Sequence, residues 1–139
     1  MIKNEKLNIS SQEINSEENK SLRDISEVNV YSCYQCGNCS SGCPAVEFMD
    51  IPPNQIIRYL QLGKINKVLE SKTPWICAAC NYCSAKCPRS VDITKVMEGL
   101  RRIILRKGID HVDINELKKE LLHKLPPIAL ISNFRKFVL

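Results

Sequence analysis

The chain has 139 residues, of which 44% are hydrophobic and only 6% aromatic, and its formal net charge is +5. This length predicts one small domain with a modest core, which benefits from additional cross-links. No apolar run approaches the roughly 18 residues of a transmembrane helix, and the N-terminal MIKNEKLNIS lacks the apolar stretch of a signal peptide. We therefore expect a cytoplasmic protein without a membrane span, in which cysteines are kept reduced.

The N-terminal residues 1–20 are rich in Ser, Asn, Glu and Lys and contain only isolated apolar side chains. Such a composition buries little surface, so we expect a flexible tail. A short helix is predicted within Ser21–Val30, because Leu22, Ile25 and Val28 recur at every third position.

Two cysteine motifs of the same form, C-x2-C-x2-C-x3-C-P, follow this segment. CYQCGNCSSGCP and CAACNYCSAKCP are related by a shift of 44 residues, and in each an aromatic residue, Tyr31 or Trp75, lies two positions before the first cysteine. An internal repeat of this kind predicts two equivalent halves. The motifs contain all eight cysteines of the chain, namely Cys33, Cys36, Cys39, Cys43, Cys77, Cys80, Cys83 and Cys87.

Helical patterns follow each motif. Pro53 suits a first helical turn, Gly63 and Gly108 suit helix ends, and Asp92 suits an N-terminal cap. No strand pair is indicated, since the hairpin dipeptides N-G, D-G and G-G are absent. The predicted fold is mostly α, with two cysteine loops held between helices. The predicted helices span Pro52–Gly63, Lys64–Lys72, Asp92–Gly108 and Ile114–Leu125.

Four thiols within eleven residues are typical of an iron–sulfur cubane. The spacing C-x2-C-x2-C lets one loop surround three corners of a cluster. The fourth cysteine of such a motif ligates the other cluster in two-cluster ferredoxins, and the proline after it disfavours a helical conformation at that cysteine. We therefore predict two [4Fe–4S] clusters. Cluster 1 is assigned to Cys33, Cys36, Cys39 and Cys87, and cluster 2 to Cys77, Cys80, Cys83 and Cys43.

Zinc and disulfides are the alternative uses of these cysteines. Structural zinc prefers two well-separated C-x2-C pairs, which this pattern does not match, and disulfides are disfavoured in a reducing compartment. Two clusters with eight thiolates add about −4 to the formal charge, so part of the basic excess balances them. Lys86 and Arg89 flank the second motif, where they either raise the potential of its cluster or are ordinary solvated side chains.

The remaining residues indicate no substrate site. His111 and His123 are expected at the surface, and no nucleotide-binding or hydrolase motif occurs. RRIILRK at Arg101–Lys107 fits the polar face of a helix better than a nucleic-acid patch, because no aromatic residue interrupts it. The expected chemistry is one-electron transfer. A freely diffusing ferredoxin and a zinc-structured nucleic-acid module remain the alternatives.

The C-terminal LPPIALISNFRKFVL is apolar and interrupted by prolines. It suits either docking to another subunit or a strap across the core of its own domain. We accordingly divide the chain into three parts. These are a flexible tail at 1–20, a helical domain with both clusters at 21–110, and a C-terminal helix with a partner-docking segment at 111–139.

Four stretches resemble the iron–sulfur C subunit of heterodisulfide reductase: VYSCYQCGNCSSGCP, IPPNQIIRYLQLG, WICAACNYCSAKCP and VDITKVMEGLRR. The resemblance covers roughly residues 28–108 and includes the linker between the motifs. More distantly, the arrangement is similar to the helical iron–sulfur domain of succinate dehydrogenase and glycerol-3-phosphate dehydrogenase complexes. This resemblance implies the helical ferredoxin fold and the eight cysteine ligands already given.

The resemblance also implies partners. The C subunit of such complexes passes electrons between an A subunit, which contains flavin and iron–sulfur clusters, and a catalytic B subunit, which reduces the disulfide of coenzyme M and coenzyme B. The chain contains no CCG sequence of the kind found in the B subunit, which fits a relay without its own substrate site. Related complexes use the same relay for other substrates, so the heterodisulfide is one expected acceptor among several.

Overall fold

The structure is a computed structural model and describes residues 14–108 and 116–135. Within these ranges the chain forms helices joined by turns and contains no strand, so the prediction of a mostly helical fold is confirmed. The α-helices are α1 Glu17–Ser26, α2 Asn38–Ser41, α3 Pro53–Gln61, α4 Ile65–Leu69, α5 Thr73–Ile76, α6 Tyr82–Lys86, α7 Ile93–Arg106, α8 Lys119–Lys124 and α9 Pro127–Arg135, with short 3-10 helices at Val30–Ser32 and Val46–Phe48.

Contacts between residues divide the chain into two units, Met1–Ile104 and Leu105–Leu139. Both cysteine motifs and most of the buried apolar side chains belong to the first unit. None of the helices in the described residues is long and apolar enough to cross a bilayer. The three-part division drawn from the sequence stays a prediction.

The first helix begins earlier than predicted. The side chain of Ser16 accepts a hydrogen bond from the backbone N–H of Asn19, and two acidic residues occupy the first turn, where the helix dipole favours them. Residues 17–20, which the sequence assigned to the flexible tail, therefore lie in α1. The helix ends where Glu27 takes a left-handed conformation and its N–H bonds to the Arg23 carbonyl.

Helices α3 and α7 continue the repeat but in a different register. Ten positions separate Cys43 from Pro53, whereas six separate Cys87 from Ile93, so the shift between the halves changes from 44 to 40. The 3-10 helix Val46–Phe48 lies in the longer connection. The two helices then bury matching faces, which are Pro53, Ile56, Ile57 and Leu60 on α3 and Ile93, Val96, Met97 and Leu100 on α7.

The predicted helix signals act as expected at two positions. Gly63 has a φ of +77° and follows α3, and the next N–H, of Lys64, bonds to the Tyr59 carbonyl at 2.9 Å. This is the hydrogen bond of a Schellman stop, which requires a left-handed residue. Asp92 caps α7 by accepting the N–H of Lys95 at 3.1 Å.

A single hydrophobic core joins the two halves of the first unit. Helix α1 contributes Leu22, which packs close to Gly99 on α7, so that a Cβ at Gly99 would approach the Leu22 side chain. Five cysteines lie against the edge of this core, which places their thiols beside apolar side chains. The buried apolar residues are Leu22, Val28, Val30, Ile56, Ile57, Leu60, Ile65, Val68, Val91, Ile93, Val96, Met97, Leu100 and Ile103.

The second unit contains two short helices among its described residues. Helix α8 is shorter than the predicted Ile114–Leu125, and α9 was not predicted, because the prolines before it were interpreted only as helix breakers. Pro127 instead occupies the first turn of α9, where its missing N–H has no consequence. His123 is exposed on α8, whereas His111 lies outside the described residues.

Candidate metal centre

The two cysteine loops share an unusual backbone. Gln35 and Gly37 have φ values of +64° and +83°, and their counterparts Ala79 and Asn81 have values of +52° and +61°. Left-handed residues therefore flank the second cysteine of each motif. This conformation is costly for most side chains, so its occurrence at equivalent positions indicates a loop shape that both motifs require.

This loop shape presents one thiol of each motif to solvent. Cys36 and Cys80, the second cysteines of the two motifs, are exposed, and the other six cysteines are half-buried. All eight thiols are free, so no disulfide joins them. In the described residues, no three Cys, His, Asp or Glu side chains gather around one point as a single metal ion requires.

A serine in each motif fixes the motif to the helix that follows it. The Ser40 hydroxyl donates to the Asn54 side-chain oxygen at 2.7 Å, and the Ser84 hydroxyl donates to Asp92 at 2.6 Å. Desolvation opposes ionisation of Asp92, but the hydrogen bonds from Ser84 and from the Lys95 N–H outweigh it and lower the pKa of this carboxyl. Side chains at the starts of α3 and α7 thus also position the cysteine loops.

The start of the first loop is held by Gln61, at the end of α3. Its side-chain amide donates to the carbonyl oxygens of Cys33 at 2.8 Å and Val30 at 2.9 Å. Val30 is buried and Cys33 is half-buried, so these two carbonyls have limited access to water. Gln61 therefore fixes the backbone at the first cysteine of the motif.

Arg101 on α7 has the equivalent role at the second loop. Its Nε donates to the Pro74 carbonyl at 2.6 Å, and its Nη2 donates to the Cys77 carbonyl. The Glu98 carboxylate lies 3.7 Å from Arg101 Nη1 and offsets part of its charge. Gln61 and Arg101 correspond under the shift of 40 residues, so one half uses a neutral donor and the other a cation.

Asp50 anchors the chain before the second motif. It accepts hydrogen bonds from the Lys72 N–H at 2.8 Å, the Thr73 N–H at 3.0 Å and the Thr73 hydroxyl at 2.6 Å. Desolvation opposes ionisation of Asp50, but these bonds outweigh it and lower the pKa of the carboxyl. Since Thr73 begins α5 and α5 leads directly to Cys77, Asp50 helps to position the second loop.

One cavity brings thiols of both motifs together. Its wall includes the first three cysteines of the second motif together with Cys43, the last cysteine of the first motif. Cys39 also contributes to it, and much of the remaining wall is apolar, including Pro44, Met49, Ile93 and Met97. A soft donor set in an apolar wall fits an iron–sulfur cluster, since thiolates are the ligands that such clusters use. The second-motif cysteines of this wall are Cys77, Cys80 and Cys83.

The end of the second motif lies beside the beginning of the first. Arg89, two residues after Cys87, donates from Nε to the carbonyl of Ser32 at 3.3 Å. The Cys87 thiol accepts the backbone N–H of Val91 at 3.2 Å. The last cysteine of each motif is thus close to the opposite motif.

Electrostatic effects on two side chains are consistent with this proximity. The pKa of Tyr34 is raised, first by a hydrogen bond with Cys36, then by desolvation and by the charges of Cys36 and Cys87, whereas Arg89 acts in the opposite direction. Burial raises the pKa of the Cys39 thiol, and two other cysteines, one from each motif, act in the same direction. Ionised thiols are unfavourable this close together unless metal ions compensate their charge.

Comparison with known proteins adds independent support. The model of a 4Fe-4S dicluster domain matches residues 29–91. The chain is 36% identical over 81 residues to the iron-sulfur C subunit of the CoB–CoM heterodisulfide reductase of Methanopyrus kandleri, covering 58% of this chain and 42% of that protein. It is 32% identical over 114 residues to the C subunit of the ferredoxin:CoB-CoM heterodisulfide reductase of Methanosarcina mazei, covering 80% of this chain and 70% of that protein.

The chain belongs to the family of heterodisulfide reductase C subunits. Its cofactors are two [4Fe–4S] clusters, as the dicluster match and the eight cysteines show. The cluster prediction is therefore confirmed over the zinc and disulfide alternatives. The chain spans less than half the length of the Methanopyrus relative, although it spans 70% of the Methanosarcina one. Membership of a family of iron–sulfur subunits supports a role in electron transfer.

Several residues that shape the site of this family member were not predicted from its sequence. Gln61 and Asp50 were not assigned a role, and Arg101 was interpreted only as part of the polar face of its helix. For the two serines that join the motifs to the following helices, the sequence did contain a signal, because Ser40 and Ser84 follow the 44-residue shift of the cysteines. The ligand sets themselves stay a prediction.

Proposed function

We propose that the chain is the electron-transfer subunit of a heterodisulfide reductase-type complex. In this role it passes electrons between a flavin- and iron–sulfur-containing A subunit and a catalytic B subunit, which reduces a disulfide of the CoM–S–S–CoB kind. A [4Fe–4S] cluster supplies one-electron transfer, and the protein supplies its position and surroundings. The chain has no substrate site of its own in this proposal.

The observation that carries the proposal is the exposure of one thiol in each loop. Cys36 and Cys80 reach the surface at equivalent positions of the repeat. A relay requires one place where electrons arrive and another where they leave. Two clusters, each with an exposed ligand, provide such a pair of places within one small unit.

Exposed aromatic side chains near both loops suit partner contacts. Tyr31 and Tyr34 near the first loop are 46% and 62% exposed, and Trp75 before the second is 52% exposed. Tyrosine and tryptophan are enriched in protein interfaces, where they often contribute much of the binding energy. We infer that each loop, with its aromatic residues, faces one partner subunit.

The proposed ligand sets are crossed between the motifs. Cys33, Cys36 and Cys39 hold cluster 1 with Cys87, and the second motif holds cluster 2 with Cys43. The shared cavity of Cys43 with the second motif and the contact of Arg89 with Ser32 support this arrangement. Each cluster then joins both halves of the repeat, which stabilises a small core. The second-motif ligands are Cys77, Cys80 and Cys83.

Paired serine variants test the crossed ligation. Cys36→Ser and Cys80→Ser each mark the EPR signal of one loop, since both cysteines are undisputed members of their own loop. We expect Cys87→Ser to change the same signal as Cys36→Ser, and Cys43→Ser to change the same signal as Cys80→Ser. If Cys87→Ser instead changes the Cys80 signal, each motif ligates its own cluster and the crossed assignment is wrong.

The C-terminal residues 111–139 are proposed to dock a partner subunit. Ile128 and Ile131 lie three residues apart on α9 and are 66% and 48% exposed, which leaves apolar surface without cover among the described residues. We expect Ile128→Asp/Ile131→Asp to weaken partner binding while both clusters remain. Ser132→Asp is the matched control, because Ser132 is an exposed residue of the same helix.

Anaerobic purification of the tagged full chain from its own cells tests the relay role. We expect a flavin-containing polypeptide and a CCG-containing polypeptide to co-purify in fixed proportion. Loss of at least one of these polypeptides with the isoleucine double variant, and retention of both with Ser132→Asp, would support docking through α9. Recovery of the wild-type chain alone, with its clusters intact, would contradict the relay and favour a freely diffusing ferredoxin.

A further inference from the structure

We propose that Gln35 and Val91 give cluster 1 a higher reduction potential than cluster 2, so that a single electron on the chain resides mainly at the first loop. The inference rests on the crossed ligation proposed above and concerns the order of the two sites, which the relay role leaves open. It is argued from the hydrogen bonds that reach the cysteine sulfurs.

The thiols assigned to cluster 1 accept three N–H hydrogen bonds. The backbone N–H of Gln35 lies 3.4 Å from the Cys33 sulfur, and the side-chain amide of Gln35 lies 3.5 Å from the same sulfur. The Val91 N–H reaches the Cys87 sulfur at 3.2 Å. Distances of this size are within the range of hydrogen bonds to sulfur, and Gln35 supplies two donors to one ligand.

The second loop lacks the counterpart of the Gln35 amide. Ala79 occupies the equivalent position with the same left-handed backbone, but its side chain has no donor. The Thr94 hydroxyl lies 3.7 Å from the Cys83 sulfur. Among the residues that the structure describes, no N–H donates to the sulfur of Cys43, Cys77 or Cys80.

The longer connection of the first half removes the counterpart of the Val91 donor. Val91 lies two residues before α7, and Ile51 lies two residues before α3. The Ile51 N–H, however, bonds to the side chains of Asp50 at 3.0 Å and Thr73 at 3.1 Å. This donor is therefore used for the anchor at α5 and does not reach Cys43.

Fixed charges do not cancel this difference. One arginine lies near each loop, Arg89 at the Ser32 carbonyl and Arg101 at the Cys77 carbonyl. The charge of Arg101 is partly offset by Glu98, 3.7 Å away. Each loop therefore has one such arginine, and Lys86 is exposed to solvent, whereas the N–H hydrogen bonds to sulfur among the described residues are those to the thiols assigned to cluster 1.

Hydrogen bonds to ligand sulfurs raise the potential of an iron–sulfur cluster, because they disperse the negative charge that reduction adds. A neutral hydrogen bond contributes about 1 kcal/mol net. The loss of the Gln35 amide should therefore change the one-electron equilibrium by about fivefold, which corresponds to about 40 mV for a one-electron couple. Such a shift is within the reach of a redox titration.

The natural difference between the loops provides the test. Gln35→Ala gives the first loop the residue of the second, and Ala79→Gln does the reverse. EPR-monitored redox titrations of the full chain, without partner subunits, give both potentials. The Cys36→Ser and Cys80→Ser variants assign each signal to its loop. Iron content and the far-UV circular dichroism spectrum verify that each variant is loaded and folded.

We expect Gln35→Ala to lower the higher of the two potentials and Ala79→Gln to raise the lower one, so that the double variant brings the two closer together. A wild-type chain in which the Cys80 loop has the higher potential would overturn the inference, as would unchanged potentials in both single variants. Neither result would affect the relay role, which the co-purification tests separately. Failure of the crossed ligation would appear in the Cys87→Ser spectrum.

Discussion

Replacement of Gln61 by alanine tests the fixation of the first loop most directly. The substitution removes two hydrogen bonds, at 2.8 and 2.9 Å, to the carbonyls of Cys33 and Val30. Each neutral bond contributes about 1 kcal/mol net, and a partly buried carbonyl without a partner adds to the loss. We therefore expect Gln61→Ala to favour opening of the first loop by about 2–3 kcal/mol, or about 30- to 150-fold in the open population.

Iron release from the full chain to an excess of chelator measures this opening. When closing is faster than capture, the release rate follows the population of the open form. We expect a biphasic loss of visible absorbance, in which half of the iron leaves faster than in the wild type. The slower half belongs to the second loop, because Arg101 remains on the Cys77 carbonyl.

Gln55→Ala is the matched control, since it makes the same change at an exposed position of the same helix. It should release iron at the wild-type rate. Gln61→Glu retains the shape of the side chain but removes its N–H donors, and should release iron at least as fast as Gln61→Ala. Wild-type release from Gln61→Ala, or equal acceleration by Gln55→Ala, would refute a specific role of this side chain.

Three further changes have defined outcomes. Gly37→Asn should retain both clusters better than Gly37→Val, because Asn81 already occupies the equivalent left-handed position and β-branched residues do not tolerate it; iron content after purification compares them. Gly42→Ala should accelerate iron release, because a Cβ there would overlap the Tyr82 ring. Adding Tyr82→Ala should restore the wild-type release rate; continued fast release in the double variant would contradict the overlap. Asp50→Asn should lower the thermal midpoint by a constant amount from pH 8 to pH 5, reflecting about 1–2 kcal/mol. The lowered pKa of Asp50 means that its contribution is complete above the unfolded carboxyl pKa and disappears only as pH falls through the folded value; a difference that already narrows at pH 6 would contradict this.

Much of the fold and the cofactor content could be predicted because the signals are local. The cysteine spacing depends only on neighbouring residues, and the buried faces of α3 and α7 appear in the 3.6-residue periodicity of their sequences. Ser16 is a different case, since the cap lies in a polar segment where composition suggested a tail. The first helix therefore begins earlier than its apolar pattern indicated.

The residues that hold the cysteine loops could not be predicted in the same way. Gln61 and Arg101 act on carbonyls 28 and 24 residues away in sequence, and their correspondence becomes visible only when the shift of 40 is known. The left-handed conformation of Gln35 also has no local sequence signal, because glutamine rarely adopts it. Such features depend on tertiary structure and are outside what periodicity and motif spacing can show.

The longer connection between Cys43 and Pro53 has a consequence for assembly. An exact duplication would present the same surface twice, and a partner could attach in two orientations related by half a turn. The additional residues include Phe48, which is 75% exposed and has no counterpart in the second half. The two halves of the repeat therefore differ in shape, and a partner can distinguish them before any electron is transferred.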